Sequence, residues 1–205
     1  MRLTHTCSMK KNFIVISILL FSICCSAQKT FLAGVYDIPI DVTCEEFQQN
    51  ITRESQYLGE YNIASFEESP HIYDEKADTF LVDDVWGHGR AHVYVLCKEE
   101  RVKQVYMEFP WGDASQLGSE PMAVFTWGAG HVFPEIYGSP SDEGNGWEEI
   151  NHTTRHYWLK SWYRPDGIKV TIKVWHRWPG SPFREQDHFS IKGSEARTEI
   201  FYEVL

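Results

Sequence analysis

Apolar and polar residues alternate along much of the chain, in runs of strand length broken by turn residues. The clearest case is His156–Tyr163 and Ile168–Trp175, closed by Arg164-Pro165-Asp166-Gly167. Pro-Asp-Gly suits a type I turn with glycine in the left-handed position, a three-residue hairpin loop. That register sets Trp162 opposite Val170, Lys160 opposite Ile172, Trp158 opposite Val174 and His156 opposite His176. A two-residue loop would set Lys160 against Lys173, an unfavourable like-charge pair. One face then carries Trp158, Trp162, Ile168, Val170, Ile172 and Val174 and is expected to be core. The other carries Tyr157, Leu159, Tyr163 and Trp175 beside Arg155, Lys169, Lys173 and Arg177.

A second hairpin joins Ala91–Cys97 to Val102–Phe109 through Lys98-Glu99-Glu100-Arg101. Placing Cys97 opposite Val102 sets Val95 against Gln104, Tyr94 against Val105 and Val93 against Tyr106. Further strands are expected at Phe31–Ile40, Tyr61–Phe66, Thr79–Val85 and Arg197–Val204. Thr43 with Glu46 three residues on is a capping box, so a short helix starts there and buries Phe47 and Ile51. Met122–Tyr137 reads as a second helix, weakened by Gly128 and Gly130, kinked by Pro134 and stopped at Tyr137-Gly138-Ser139-Pro140. Polar loops follow up to Gly146 and from Pro179 to Asp187. The stretch from Pro110 to Pro121 is the best internal boundary.

The N-terminus departs from this pattern. Lys10 and Lys11 precede an apolar run from Phe13 to Cys25, and Cys25-Ser26-Ala27 places small residues before Gln28. This reads as a secretory signal peptide over residues 1–27, with Met9 as a natural start. The run is short of the roughly 20 residues of a membrane span, so no integral span is expected after cleavage. Lipid anchoring through Cys24 or Cys25 is the lesser alternative, because neither cysteine follows a small residue. The sequons at Asn50 and Asn151 read as chance matches in a bacterial setting.

Cleavage changes the charge. The chain carries 19 basic and 29 acidic residues, a net charge of −10. Residues 1–27 hold Arg2, Lys10 and Lys11 and no acid, so the mature chain is at −13. Such acidity argues against a nucleic-acid binder. Cys44 and Cys97 are then the two remaining cysteines. In an oxidising compartment they are disulfide candidates, and two buried thiols is the other reading.

These elements define an α+β class: antiparallel sheet with two helices packed on one face. Residues 28–205 form one domain, in which a helix-plus-meander order occurs twice, over 28–110 and 121–205. The Thr43-capped helix, the meander and the helix ending in Tyr137-Gly138-Ser139-Pro140 resemble small secreted α+β proteins of Gram-negative bacteria. The pattern is similar to the helix-plus-sheet modules of β-lactamase-inhibitor proteins and of outer-membrane assembly lipoproteins. That resemblance implies a protein-binding module with no cofactor and carries over no functional residue.

No catalytic motif stands out. His88 and His92 lie four apart, but the intervening glycines disfavour the helix a metal pair would need. His156 and His176 are cross-strand neighbours and a candidate metal pair, with His152 the third ligand to be placed. Asp83-Asp84, Glu67-Glu68 and Glu148-Glu149 point to opposite faces of a strand and read as solvated. Ser139, Ser141 and Ser181 adjoin prolines in loops, and Gly144-Asn145-Gly146 lacks the lysine of a phosphate loop. The basic aromatic face remains, with Tyr157, Tyr163, Trp175, Lys173 and Arg177 as candidate ligand contacts. The expectation is a secreted or periplasmic non-enzymatic binding module for an unknown protein or carbohydrate. A hydrolase of envelope or polysaccharide substrates and an immunity-like toxin inhibitor are the alternatives.

Overall fold

The computed structural model describes residues 29–33, 36–53, 55–62, 76–114, 120–150, 153–177 and 195–205. The signal segment, His152, Glu67-Glu68 and the Pro179–Asp187 loop lie outside them.

Most described residues are in antiparallel strands. Strands β3 (Ser55–Asn62), β4 (Lys76–Val82), β5 (Ala91–Lys98) and β6 (Arg101–Glu108) follow one another across the sheet. Strands β8 (Asp142–Ile150), β9 (Thr153–Tyr163), β10 (Ile168–Arg177) and β11 (Glu195–Val204) do the same from the opposite edge. The two runs meet where β6 pairs antiparallel with β11, and the short β7 (Gly112–Asp113) adds to β11 beside that seam. Strands β1 (Thr30–Ala33) and β2 (Tyr36–Pro39) form a separate hairpin.

Phe31–Ile40 is therefore not one strand. Ala33 and Tyr36 are cross-strand partners, so the two short strands run antiparallel to each other. The first helix, α1 (Cys44–Ile51), starts as the capping box requires: the Glu46 N–H donates to the Thr43 hydroxyl at 3.2 Å. Phe47 and Ile51, one turn apart, are its buried positions. The Cys44–Cys97 disulfide, with Cα atoms 6.1 Å apart, ties α1 to the end of β5. Backbone bonds from Cys44 N to Glu100 O and from Val102 N to Val42 O run alongside it.

The second helical segment runs from Glu120 to Tyr137 in three parts. Helix α2 (Glu120–Trp127) passes into a π-helical turn over Gly128–Val132 and then into α3 (Phe133–Tyr137). In a continuous α-helix, Pro134 would leave a carbonyl unpaired and clash with the preceding turn. The wider turn absorbs this, with the Phe133 N–H reaching the Gly128 carbonyl. Gly138 ends the segment at φ 79°, a conformation that favours glycine. None of the described helices is long and apolar enough to cross a membrane.

The β9–β10 register is the one that the Pro-Asp-Gly turn requires, pairing Trp162 with Val170 and His156 with His176. Gly167 adopts φ 78° in that turn. The β5–β6 hairpin differs by one residue: Cys97 does face Val102, but a bulge beyond it pairs Val95 with Val105, Tyr94 with Tyr106 and Val93 with Met107. The shift gathers valines and Met107 on one face and stacks Tyr94 on Tyr106 on the other, which pure alternation could not do. Asp142–Gly146 is also strand rather than loop. Gly146 makes room for the neighbouring strand: a Cβ there would sit 2.9 Å from the Tyr157 hydroxyl.

The main apolar cluster joins Phe47 and Ile51 of α1 and Val124, Ala129 and Phe133 of the second helical segment to Val93, Val105, Val170, Ile172 and Ile200 of the sheet. Trp162 joins the same cluster and donates its indole N–H to the Gly138 carbonyl at 2.9 Å. Burying the indole with its donor satisfied also fixes the end of α3 against β9.

Candidate functional site

Alternation along β9, β10, β11 and β6 brings the charged and aromatic residues of the sheet onto one face. Register places Tyr157, Trp175 and Arg197 in one row and Leu159, Lys173, Glu199 and Glu108 in the next. Arg155, Arg177 and Glu195 continue the face toward Trp111, in the connection from β6 to β7.

The middle of this face is closed by its own pairings. Trp175 is fully buried and donates its indole N–H to the Glu199 carboxylate at 2.7 Å. The Arg197 guanidinium, also buried, donates to Glu199 and, at 3.1 Å, to Glu108. Burial alone would depress the Arg197 pKa, but Glu199 and Glu108 more than offset it and hold the cation firmly protonated. Lys173 lies 3.5 Å from the Trp175 ring centre, 4.2 Å from that of Tyr157 and 3.3 Å from the Glu148 carboxylate. Desolvation lowers the Lys173 pKa, while Glu148 and Glu199 act to raise it. Arg177 bonds Glu195 at 2.7 Å and stands 4.1 Å over the Trp111 ring. Arg155 and Arg197 each lie 5.3 Å from that ring.

The candidate contacts thus separate. Trp175 has no surface to offer a partner. Lys173 is 4% exposed and Tyr157 is half-buried beneath it. Arg177 is partly exposed and engaged with Glu195 and Trp111. Tyr163, 51% exposed, stands at the open end of the face with the Lys169 ammonium 5.5 Å from its ring centre.

His156 and His176 are opposite each other, as the register requires. Both are buried at the end of the apolar face, packed edge-on to Trp158 with ring centres 4.1 and 6.4 Å away. Among the described residues no group of three His, Cys, Asp or Glu could hold a metal ion. His88 lies in the turn before β5 and His92 within that strand. Burial, with Arg90 nearby, lowers the His92 pKa below its ordinary 6.5. Asp83 is paired with Arg90 and Glu148 with Lys173. A shallow cavity of about 400 Å³ lies beside the disulfide, lined by Glu60, Lys76, Asp78, Val95, Cys97 and Lys98. Its Lys76 pairs with Glu60, and its Asp78 accepts a hydrogen bond from the Tyr57 hydroxyl.

Two groups escaped the reading of the sequence. Arg197 and Glu199 were legible only as strand residues, and extending the β10 register to the last strand would have matched them to Trp175 and Lys173. Trp127 and His131 carried a signal in their spacing of four, the same face of a helix. Comparison of the chain with family models, with curated proteins and with solved structures finds no match.

Proposed function

We propose that the mature chain is a secreted or periplasmic binding module that works without catalysis and takes a protein or glycan partner. The carrying observation is Tyr163, half exposed beside Lys169 at the open margin of a face whose interior is locked by ion pairs. An aromatic ring next to a cation on a rigid strand is a favourable binding anchor, because little side-chain freedom is lost on contact. The signal segment supplies the compartment in this reading.

Two finer features belong to the same proposal. Both helices cover the apolar face, as the shared cluster of Phe47 and Phe133 supports. The chain is also built as two helix-plus-meander units, and the strand order, running inward from both edges to the β6–β11 seam, supports that division.

The test is capture of envelope proteins and glycans by mature protein, by Tyr163→Ala and by Lys169→Ala. The reading predicts that a partner held by the wild type is lost from Tyr163→Ala. Capture unchanged in both variants removes this margin as the contact.

A further inference from the structure

We propose that Trp127, His131 and His88 form a second binding site, a stacking platform for the pyranose rings of a neutral glycan. The indole of Trp127, at the end of α2, is 46% exposed. The His131 ring centre lies 4.7 Å from it at 41°, and that of His88 lies 6.1 Å away at 66°. An exposed indole thus has two imidazoles in ring contact with it, one from the helical segment and one from the turn, each bearing nitrogen donors and acceptors. That is the chemistry of a sugar ring, whose C–H face stacks on an aromatic plane while its hydroxyls hydrogen-bond at the rim.

The elements that hold these side chains are irregular in backbone. His88 is presented by a tight turn in which two non-glycine residues are left-handed, Asp84 at φ 56° and Trp86 at φ 53°. Such conformations are uncommon for residues other than glycine and gather at ligand clamps. The turn is closed by Val85 N to Gly89 O at 2.8 Å and by the Asp83–Arg90 pair at its base. It is wedged against the helix through Trp86. A Cβ on Gly128 would lie 2.9 Å from the Trp86 ring and 2.8 Å from Ile172. His131 sits in the π-helical turn that begins at Gly128, a distortion also frequent at functional sites. The Trp86 indole nitrogen is buried with no hydrogen-bond partner among the described residues, a further departure at the same spot. The left-handed turn and the π-helical turn thus meet at the Trp86–Gly128 approach, next to Trp127 in the chain.

Among glycans, the acidity of the protein argues against an acidic one. A net charge of −10, or −13 after signal cleavage, disfavours approach by a polyuronate. The site belongs to the helical segment and the turn before β5, not to the Tyr163 margin, so each can fail alone.

The experiment titrates mature protein with neutral gluco-, manno- and xylo-oligosaccharides and with oligogalacturonate, read by tryptophan fluorescence and calorimetry. Binding of at least one neutral series is expected. Trp127→Ala should weaken it by about tenfold or more and Trp127→Phe by less, the range that loss of one stacked ring produces. His131→Ala, another exposed position, should weaken it too and serves if Trp127→Ala fails to fold. Oligogalacturonate should bind at least about tenfold more weakly at low salt. No neutral binding, undiminished binding in Trp127→Ala or equal binding of oligogalacturonate overturns the proposal. Loss in Tyr163→Ala with retention in Trp127→Ala moves the glycan to the sheet margin, which overturns the platform and leaves the binding-module reading standing.

Discussion

The Trp175 indole N–H donates to the Glu199 carboxylate at 2.7 Å, and both side chains are fully buried. One residue was expected to meet a ligand; instead it helps neutralise a buried acid. Trp175→Phe keeps the ring and removes the donor. Losing one hydrogen bond to a charged group should destabilise the fold by about 1.5–3 kcal/mol. Urea unfolding of the two proteins checks this, and equal midpoints would show that Glu199 does not depend on the bond.

Arg197 answers both Glu199 and Glu108. Arg197→Met removes the buried cation that Glu199 and Glu108 share and should cost about 3–5 kcal/mol. Arg197→Met with Glu199→Leu removes the nearer acid as well and should recover part of that loss. A double mutant no better than Arg197→Met would mean that the pair is not the source of the penalty.

Gly128→Ala should destabilise by about 1–3 kcal/mol, since the added methyl meets Ile172 at 2.8 Å and Trp86 at 2.9 Å. Gly130→Ala, whose added methyl meets nothing within 4 Å, is the control. Thermal melts of the two variants should therefore separate, with Gly130→Ala the more stable.

The disulfide joins residues 53 apart. On the chain-entropy picture, Cys44→Ser with Cys97→Ser should cost about 4 kcal/mol. Mass spectrometry of unreduced protein should show two hydrogens fewer than the free thiols would carry. Unfolding with and without reductant gives the energy, and a midpoint insensitive to reductant would contradict the staple.

The pH dependence has a defined sign on each side. Burial raises the Tyr94, Tyr137 and Tyr202 pKa values above their ordinary 10.0. The folded state then holds protons that the unfolded chain releases, so stability is full below pH 10 and falls as pH rises above it. Lys173, depressed by burial from 10.5, acts in the opposite direction as a single group. On the acid side His92 is depressed from 6.5, so its contribution is present above that pH and fades below it. Unfolding midpoints of wild type and His92→Gln between pH 5 and 8 should diverge only toward the acid end.

Much of this architecture was written locally. The Thr43 cap, the Pro-Asp-Gly turn and the lysine clash avoided by the three-residue loop fixed α1 and the β9–β10 register. What failed depended on distant partners. The bulge that realigns Val95 with Val105 answers to the packing of both sheet faces, not to the turn. Gly146 looked like loop because the reason for it is Tyr157, on the next strand. The candidate site was half legible for the same reason. The face containing Trp175 followed from alternation, but its closure by Arg197 and Glu199 required the neighbour of β10 to be known.

The most direct measurement is hydroxyl-radical footprinting of the mature protein, alone and with a captured partner. Tyr163 should oxidise in the free protein and become protected in the complex, while Trp175 stays unreactive in both. Oxidation of Trp175 in the free, folded protein, or no protection of Tyr163 on binding, would contradict the account.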